Sequence, residues 1–234
     1  MWSELSLLKK QAQGVHDKNL VATWLVQYNV LEDEDVIKLL KSYSGDELGI
    51  FLEVSEQLAT DAQVPYILGD GDWARADKVL FSGYEINERK KMVDTVFDRF
   101  KETFGYYPKS VGAWYIDPVI LEYVYKKYGV VAAIDCTDQY ATDGYGLWGK
   151  PWGVPYYPSR WNTLVPAQSV SNRLPVVKIQ WALRDPLWGY GIGVPDSTYS
   201  VQPNDYVGHH GLGIEYFKKL LNIELLKRLF VAFL

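Results

Sequence analysis

The chain contains one cysteine, Cys136, and three histidines, His16, His209 and His210, among 234 residues. A lone cysteine excludes an internal disulfide and any cysteine-based metal centre. No histidine lies near Cys136 in sequence, so packing is a better account of it than nucleophilic chemistry. Adjacent histidines on an extended segment point to opposite sides, so His209 and His210 are poorly placed to chelate one ion together. Basic residues are outnumbered, 24 Lys and Arg against 29 Asp and Glu, for a formal net charge of −5. With no basic stripe, nucleic acid is not an expected partner. No apolar run reaches the roughly 18 residues of a membrane span, and the N-terminus lacks the apolar core of a secretion signal. A cytoplasmic protein and one exported after removal of a leader both fit. No Gly-Lys-Ser/Thr follows a strand, so no nucleotide is expected, and no other cofactor is implied.

Aromatic residues are abundant, 15% of the chain with nine Trp and eighteen Tyr. Many cluster in Gly/Pro-rich segments such as Gly144–Tyr157 and Leu187–Tyr190. Large rings in loops offer flat apolar faces with a polar edge, which suits sugar rings; such rings also anchor loops that lack regular structure.

The most informative stretch runs from Glu88 to Gln139. Val93, Val96, Phe97, Phe100 and Phe104 recur at helical spacing, and Gly105-Tyr-Tyr-Pro108 stops that helix. A strand at 110–116 ends on Asp117-Pro118, a helix follows from Val119 to Tyr128, and a strand at 130–135 ends on Asp135. Further strands are expected at Leu20–Tyr28, Gly49–Val54, Lys78–Ser82 and Pro175–Ala182, with a helix from Asp33 to Tyr43 and others at the two ends. Alternation puts Gln27 opposite to Trp24 and Val26, and Phe51 and Glu53 opposite to Ile50, Leu52 and Val54. Strands alternating with helices imply a parallel sheet. An open doubly wound sheet covered by helices on both faces rarely tolerates Gln27, Glu53 and Gln180 within its strands, whereas a barrel with a polar upper interior does. The fold class expected is therefore α/β, a (β/α) barrel formed by residues 1–234 as one domain. Long aromatic-rich loops at 136–175 and 184–211 would lie over the site. The closing run Leu229–Leu234 is apolar enough to need a partner surface, a further domain or protomer, and leaves room for a barrel incomplete at its C-terminus.

Arg89 to Gln139, with FGYYP, SVGAWYIDP and KKYGVVAAIDCTDQY, resembles the central half of the polysaccharide deacetylase superfamily. The resemblance implies a distorted seven-stranded (β/α) barrel and a carbohydrate substrate. The Asp-x-x-Asp-Trp strand end of that superfamily is matched by Asp135-Cys-Thr-Asp138-Gln139 except at its last position. The related family 57 glycoside hydrolases place a nucleophilic carboxylate after Trp-x-Pro, and Trp114-Tyr-Ile-Asp117 stands similarly. Gly49-Ile-Phe-Leu-Glu53 resembles their N-terminal Gly…Glu strand. Metal-dependent deacetylases need an Asp on the first strand and a His-x-x-x-His pair after the third. Here the first strand ends in Gln27-Tyr-Asn29 and the third region, Ser82 to Glu88, has no histidine. No metal site is therefore expected.

Glycoside cleavage needs two carboxylates, about 5 Å apart for retention or about 6.5–9.5 Å for inversion. Candidates are Asp117, Glu53 and Asp185, each with a plainer alternative. Asp117 before Pro118 also reads as a helix N-cap. Glu53 would be costly in an apolar strand unless hydrated or paired with a cation. Asp185 precedes Pro186 and also reads as a strand end. Trp24, Trp114, Tyr115 and Trp181 would serve as sugar platforms, and Gln27, Asp135, Asp138, Gln180 and Arg184 would hold hydroxyls; Asp135 and Asp138 also suit turn formation. Asn204-Asp205-Tyr206 would add hydrogen bonds. The expected function is metal-independent hydrolysis of a poly- or oligosaccharide. Rivals are a glycan-binding domain that lost catalysis and a deacetylase with a replaced ion site.

Overall fold

The computed structural model describes residues 5–67, 80–135, 155–180 and, near the C-terminus, 214–216, 218, 219 and 222. It is an α/β fold built on a five-stranded parallel sheet. The strands are β1 (Thr23–Val26), β2 (Glu47–Leu52), β3 (Ser110–Ala113), β4 (Ala132–Asp135) and β5 (Val177–Gln180), and they lie side by side in chain order. That order contains no reversal of the kind that marks a doubly wound sheet. The helices are α1 (Leu5–His16), α2 (Glu34–Lys41), α3 (Glu56–Asp61), α4 (Ile86–Phe104) and α5 (Pro118–Tyr128).

The two long helices start and stop where their sequences carry the signals. Glu85 and Glu88 form a capping box at the start of α4, and Gly105 ends it with φ 87°, a left-handed conformation that glycine adopts without cost. Asp117 caps α5, Pro118 follows at its first turn, and Gly129 closes it with φ 72°. The inward stripe of α4, Met92, Val93, Val96, Phe97 and Phe100, packs in one cluster with Ile120, Leu121 and Val124 of α5. The same cluster takes one face of the sheet, through Val26, Ile50, Leu52, Val111, Ala113 and Ala133.

The other face carries Leu25, Phe51 and Ile134 beside Gly49 and Gly112. Register pairs Leu25 with Gly49, and Phe51 with Gly112 and so with Ile134. A Cβ on Gly112 would collide with Leu25 Cδ1 and lie 2.8 Å from Ile134 Cγ2; one on Gly49 would lie 2.6 Å from the Ser110 carbonyl and 2.7 Å from Leu25 Cδ2. A β1 side chain therefore lies over β2 and reaches β3. Neighbouring strands are about 4.8 Å apart, so β1 and β3 are separated by roughly twice that, and a leucine covers the distance only if the sheet is concave on this face. The glycines make room for the curl.

One expected strand is corrected. Within Lys78–Ser82, residues 78 and 79 lie outside the described residues, and Phe81–Gly83 forms a 3-10 turn. The short apolar run there buries Leu80 and Phe81 without pairing to the sheet.

Candidate functional site

The pleat carries Gln27, Glu53 and Trp114 onto the concave face just past the carboxyl ends of β1, β2 and β3, where parallel α/β folds place ligands. Gln27 Nε2 and Trp114 Nε1 both donate to Glu53 Oε2, at 3.2 and 2.9 Å. Phe51 sets the indole from below in an edge contact, ring centres 5.4 Å apart. All three residues are half-buried, and the two donors orient the carboxylate. Two neighbours were not anticipated. Burial, and then the charges of Glu56 and Glu53, push the Tyr66 phenol up. Ser55 Oγ donates to Asn29 Oδ1 at 2.9 Å and accepts from Leu58 N as the cap of α3. Tyr66 follows a turn and carries no periodic signal, and Asn29 lies in the 3-10 turn Tyr28–Glu32, beyond the end of β1.

Other candidates assemble on the helix-facing side instead. Asp135 aligns with Ala113 of β3, so its carboxylate enters the buried face, where it is ion-paired with Lys178 of β5. Both side chains are only 2% exposed. Burial raises the Asp135 carboxyl, with Lys178 opposing, and lowers the Lys178 amine, with Asp135 opposing. Lys178 Nζ also donates to the Thr163 carbonyl at 2.9 Å, as does Tyr156 OH at 3.0 Å, and Thr163 Oγ1 donates to the Ile116 carbonyl at 2.6 Å. The pair thus pins residues 155–165 to the sheet. Its position in the buried layer corrects the expectation that Asp135 holds substrate hydroxyls. Tyr115 is half-buried beside this network; burial, then the charges of Asp117 and Asp135, raise its phenol.

Asp117 follows its plainer alternative. Oδ1 accepts from Val119 N and Ile120 N at 3.0 and 3.1 Å, capping α5. Oδ2 lies 3.3 Å from Arg89 Nη1, and Arg89 is itself fixed to the carbonyls of Tyr84 and Ser82 at 2.5 and 2.9 Å. The carboxylate is buried; Oδ1 is taken up by the cap, and Oδ2 has the Arg89 charge beside it but no hydrogen bond among the described residues.

Trp24 is also corrected. β1 begins at Thr23, so Trp24 sits at the amino end of the sheet, partly buried against the helix-side core. Its indole N–H donates to Asp46 Oδ2 at 2.6 Å, on the opposite face of the sheet from Gln27. His16 Nε2 lies 3.0 Å from the same oxygen and its ring stacks on Tyr43, centroids 4.1 Å apart. Although burial opposes its charge, Asp46 is held below the usual carboxylate range by Trp24, by Ala22 N and by His16. A lowered folded-state value means that the stabilisation is complete above the unfolded value of about 3.9 and is lost as pH falls through the folded one. Asp46→Asn is expected to lower the melting temperature at neutral pH, and its deficit relative to wild type should shrink on acidification to about pH 2. Melting curves across that range test this; a deficit independent of pH would contradict it.

Asp138, Trp181, Arg184 and Asp185 lie outside the described residues, as do Cys136, Asn204, Asp205, Tyr206, His209 and His210; Gln180 ends β5, its side chain likewise outside them. Among the described residues, no group of three or more His, Cys, Asp or Glu side chains is placed to hold a metal ion, and no helix is long and apolar enough to cross a membrane.

Residues 11–218 match the model of a family of domains of unknown function with a solved structure, DUF3863, and the chain belongs to that family. No curated protein matches. A crystal structure from Parabacteroides distasonis, described provisionally as a glycoside hydrolase/deacetylase, is similar with a TM-score of 0.53 and 19% sequence identity. The likeness covers 80% of this chain and 40% of that one, so this chain spans about two fifths of the protein it matches. At that identity the likeness is one of fold.

Proposed function

We propose that this chain is a carbohydrate-active domain on a distorted (β/α) barrel, with its ligand at the Gln27–Glu53–Trp114 rim and hydrolysis of a poly- or oligosaccharide as its reaction. The barrel reading draws support from the sequential parallel order and the concave sheet, together with the likeness to the Parabacteroides protein. The observation that carries the functional reading is the carboxylate of Glu53 held by an amide and an indole at the carboxyl ends of three adjacent strands. An indole face accepts the C–H side of a sugar ring, the amide reaches hydroxyls, and an oriented carboxylate is one of the two groups glycoside cleavage needs. Asp185 is the proposed second acid, since Asp117 is taken up as a cap and an ion pair.

The occupation of Asp117 favours one rival, a glycan-binding domain without turnover. Cello-, xylo-, manno- and chito-oligosaccharides of two and six units separate the two readings, with binding followed by calorimetry and products by reducing-end release. Cleavage of any member supports the hydrolase. Binding without product supports the glycan-binding domain, and acetate release from acetylated members that a chelator suppresses would replace both with a deacetylase. Neither binding nor product would sink the carbohydrate reading.

A further inference from the structure

Trp161 stands 80% exposed between Arg160 and Asn162, both also exposed, at the tip of the turn formed by residues 159–165. An indole in water is unfavourable, and one on a loose loop would fold back onto the nearest apolar surface. Here the backbone of the turn is held in place by hydrogen bonds. Ser159 Oγ accepts from Trp161 N at 3.2 Å and from Asn172 Nδ2 at 3.1 Å. Arg160 N donates to Asn172 O at 2.8 Å, Ser159 N to Val165 O at 2.9 Å, and Leu164 N to Asn162 Oδ1 at 2.9 Å. Arg160 reaches Glu122 of α5 at 3.4 Å. Below the tip, the bond from Thr163 to the Ile116 carbonyl ties the turn to the chain two residues beyond Trp114. The turn therefore stands at the same end of the sheet as the Glu53 rim, displaced toward the first turns of α5.

A flat exposed ring on a hydrogen-bonded turn, flanked by guanidinium and amide groups, matches one chemical class. A pyranose presents a C–H face to stack on the indole and equatorial hydroxyls to hydrogen-bond around it. We propose that Trp161 is a distal stacking subsite for a linear oligosaccharide whose other end lies at Gln27–Glu53–Trp114. The inference rests on the proposed function and adds a length requirement to it: short sugars occupy the rim alone, and longer ones span both positions.

The test uses the full chain and the same two- and six-unit oligosaccharides. Trp161→Ala is expected to weaken six-unit binding about five- to tenfold and leave two-unit binding within about twofold, and Trp161→Phe should recover most of the loss. Trp114→Ala should weaken both lengths. Because Trp161 is exposed, its variants should melt with the wild type, which separates lost contact from lost folding. Unchanged six-unit affinity in Trp161→Ala, with Trp114→Ala still impaired, overturns the distal subsite and leaves the rim reading intact. Failure of the wild type to bind any member overturns both. Concentration-dependent self-association that Trp161→Ala abolishes, without an effect on sugar binding, assigns the indole to a protein contact and also overturns the subsite.

Discussion

Lys178→Met is expected to lower the unfolding free energy by about 3–5 kcal/mol, the range for removing one partner of a buried ion pair. The reason is the carboxylate left behind. Asp135 is 2% exposed, and among the described residues one of its oxygens accepts no hydrogen bond, while the other has Lys178 and the distant amide of Ile116 at 3.5 Å. Without the ammonium, Asp135 must either remain charged in the core or be protonated, and both are costly. Asp135→Leu combined with Lys178→Met removes both charges and should recover much of the loss, since apolar replacement of a whole buried pair is often nearly neutral. Urea denaturation of the two single variants and the double variant measures this as a cycle. A single Lys178→Met variant within about 1 kcal/mol of wild type would mean that the pair is not buried as described. The same substitution should loosen residues 155–165, because Lys178 is one of the donors to Thr163.

Glu53→Gln is expected to reduce product release from a cleaved oligosaccharide by about 10²–10⁴-fold while sugar affinity changes little. Glutamine keeps the shape of the side chain, and its carbonyl can still accept from Trp114 or Gln27; only the charge and the ability to carry a proton are lost. A melting curve of the variant separates loss of chemistry from loss of folding at this half-buried position. Kinetics on the best member of the oligosaccharide series, beside calorimetric binding of the same sugar, separates a chemical role from a binding one. Equal rates in wild type and variant would remove Glu53 from the chemistry.

Much of the fold is legible where a periodic pattern meets a stop signal. Helix α4 is specified twice, by its valine and phenylalanine stripe and by the glycine that must take a positive φ. The strand-helix-strand run from Ser110 to Asp135 is bounded by Asp117-Pro118 and Gly129 in the same way. Strand parity also placed Gln27 and Glu53 on the concave face, because a two-residue period survives errors in where a strand begins. The strand expected at 78–82 failed for the opposite reason: an apolar run that short fits a buried turn as well as a strand. Placing Trp24 at the site goes against its own parity: alternation already puts it opposite to Gln27, and the start of β1 at Thr23 also sets it toward the amino end. Asp135 and Lys178 are 43 positions apart, and their meeting depends on the register between β4 and β5, which no local pattern encodes. For Asp117, the cap and the catalytic readings share one sequence signature, Asp before Pro, and only the partners of its two oxygens distinguish them.

A crystal of this chain soaked with the six-unit oligosaccharide it binds best should show the ligand at the carboxyl ends of β1, β2 and β3, with a sugar ring stacked on Trp114 and a hydroxyl or glycosidic oxygen within hydrogen-bond reach of Glu53. Sugar bound only elsewhere on the molecule, with the Gln27–Glu53–Trp114 contacts undisturbed, would contradict that placement.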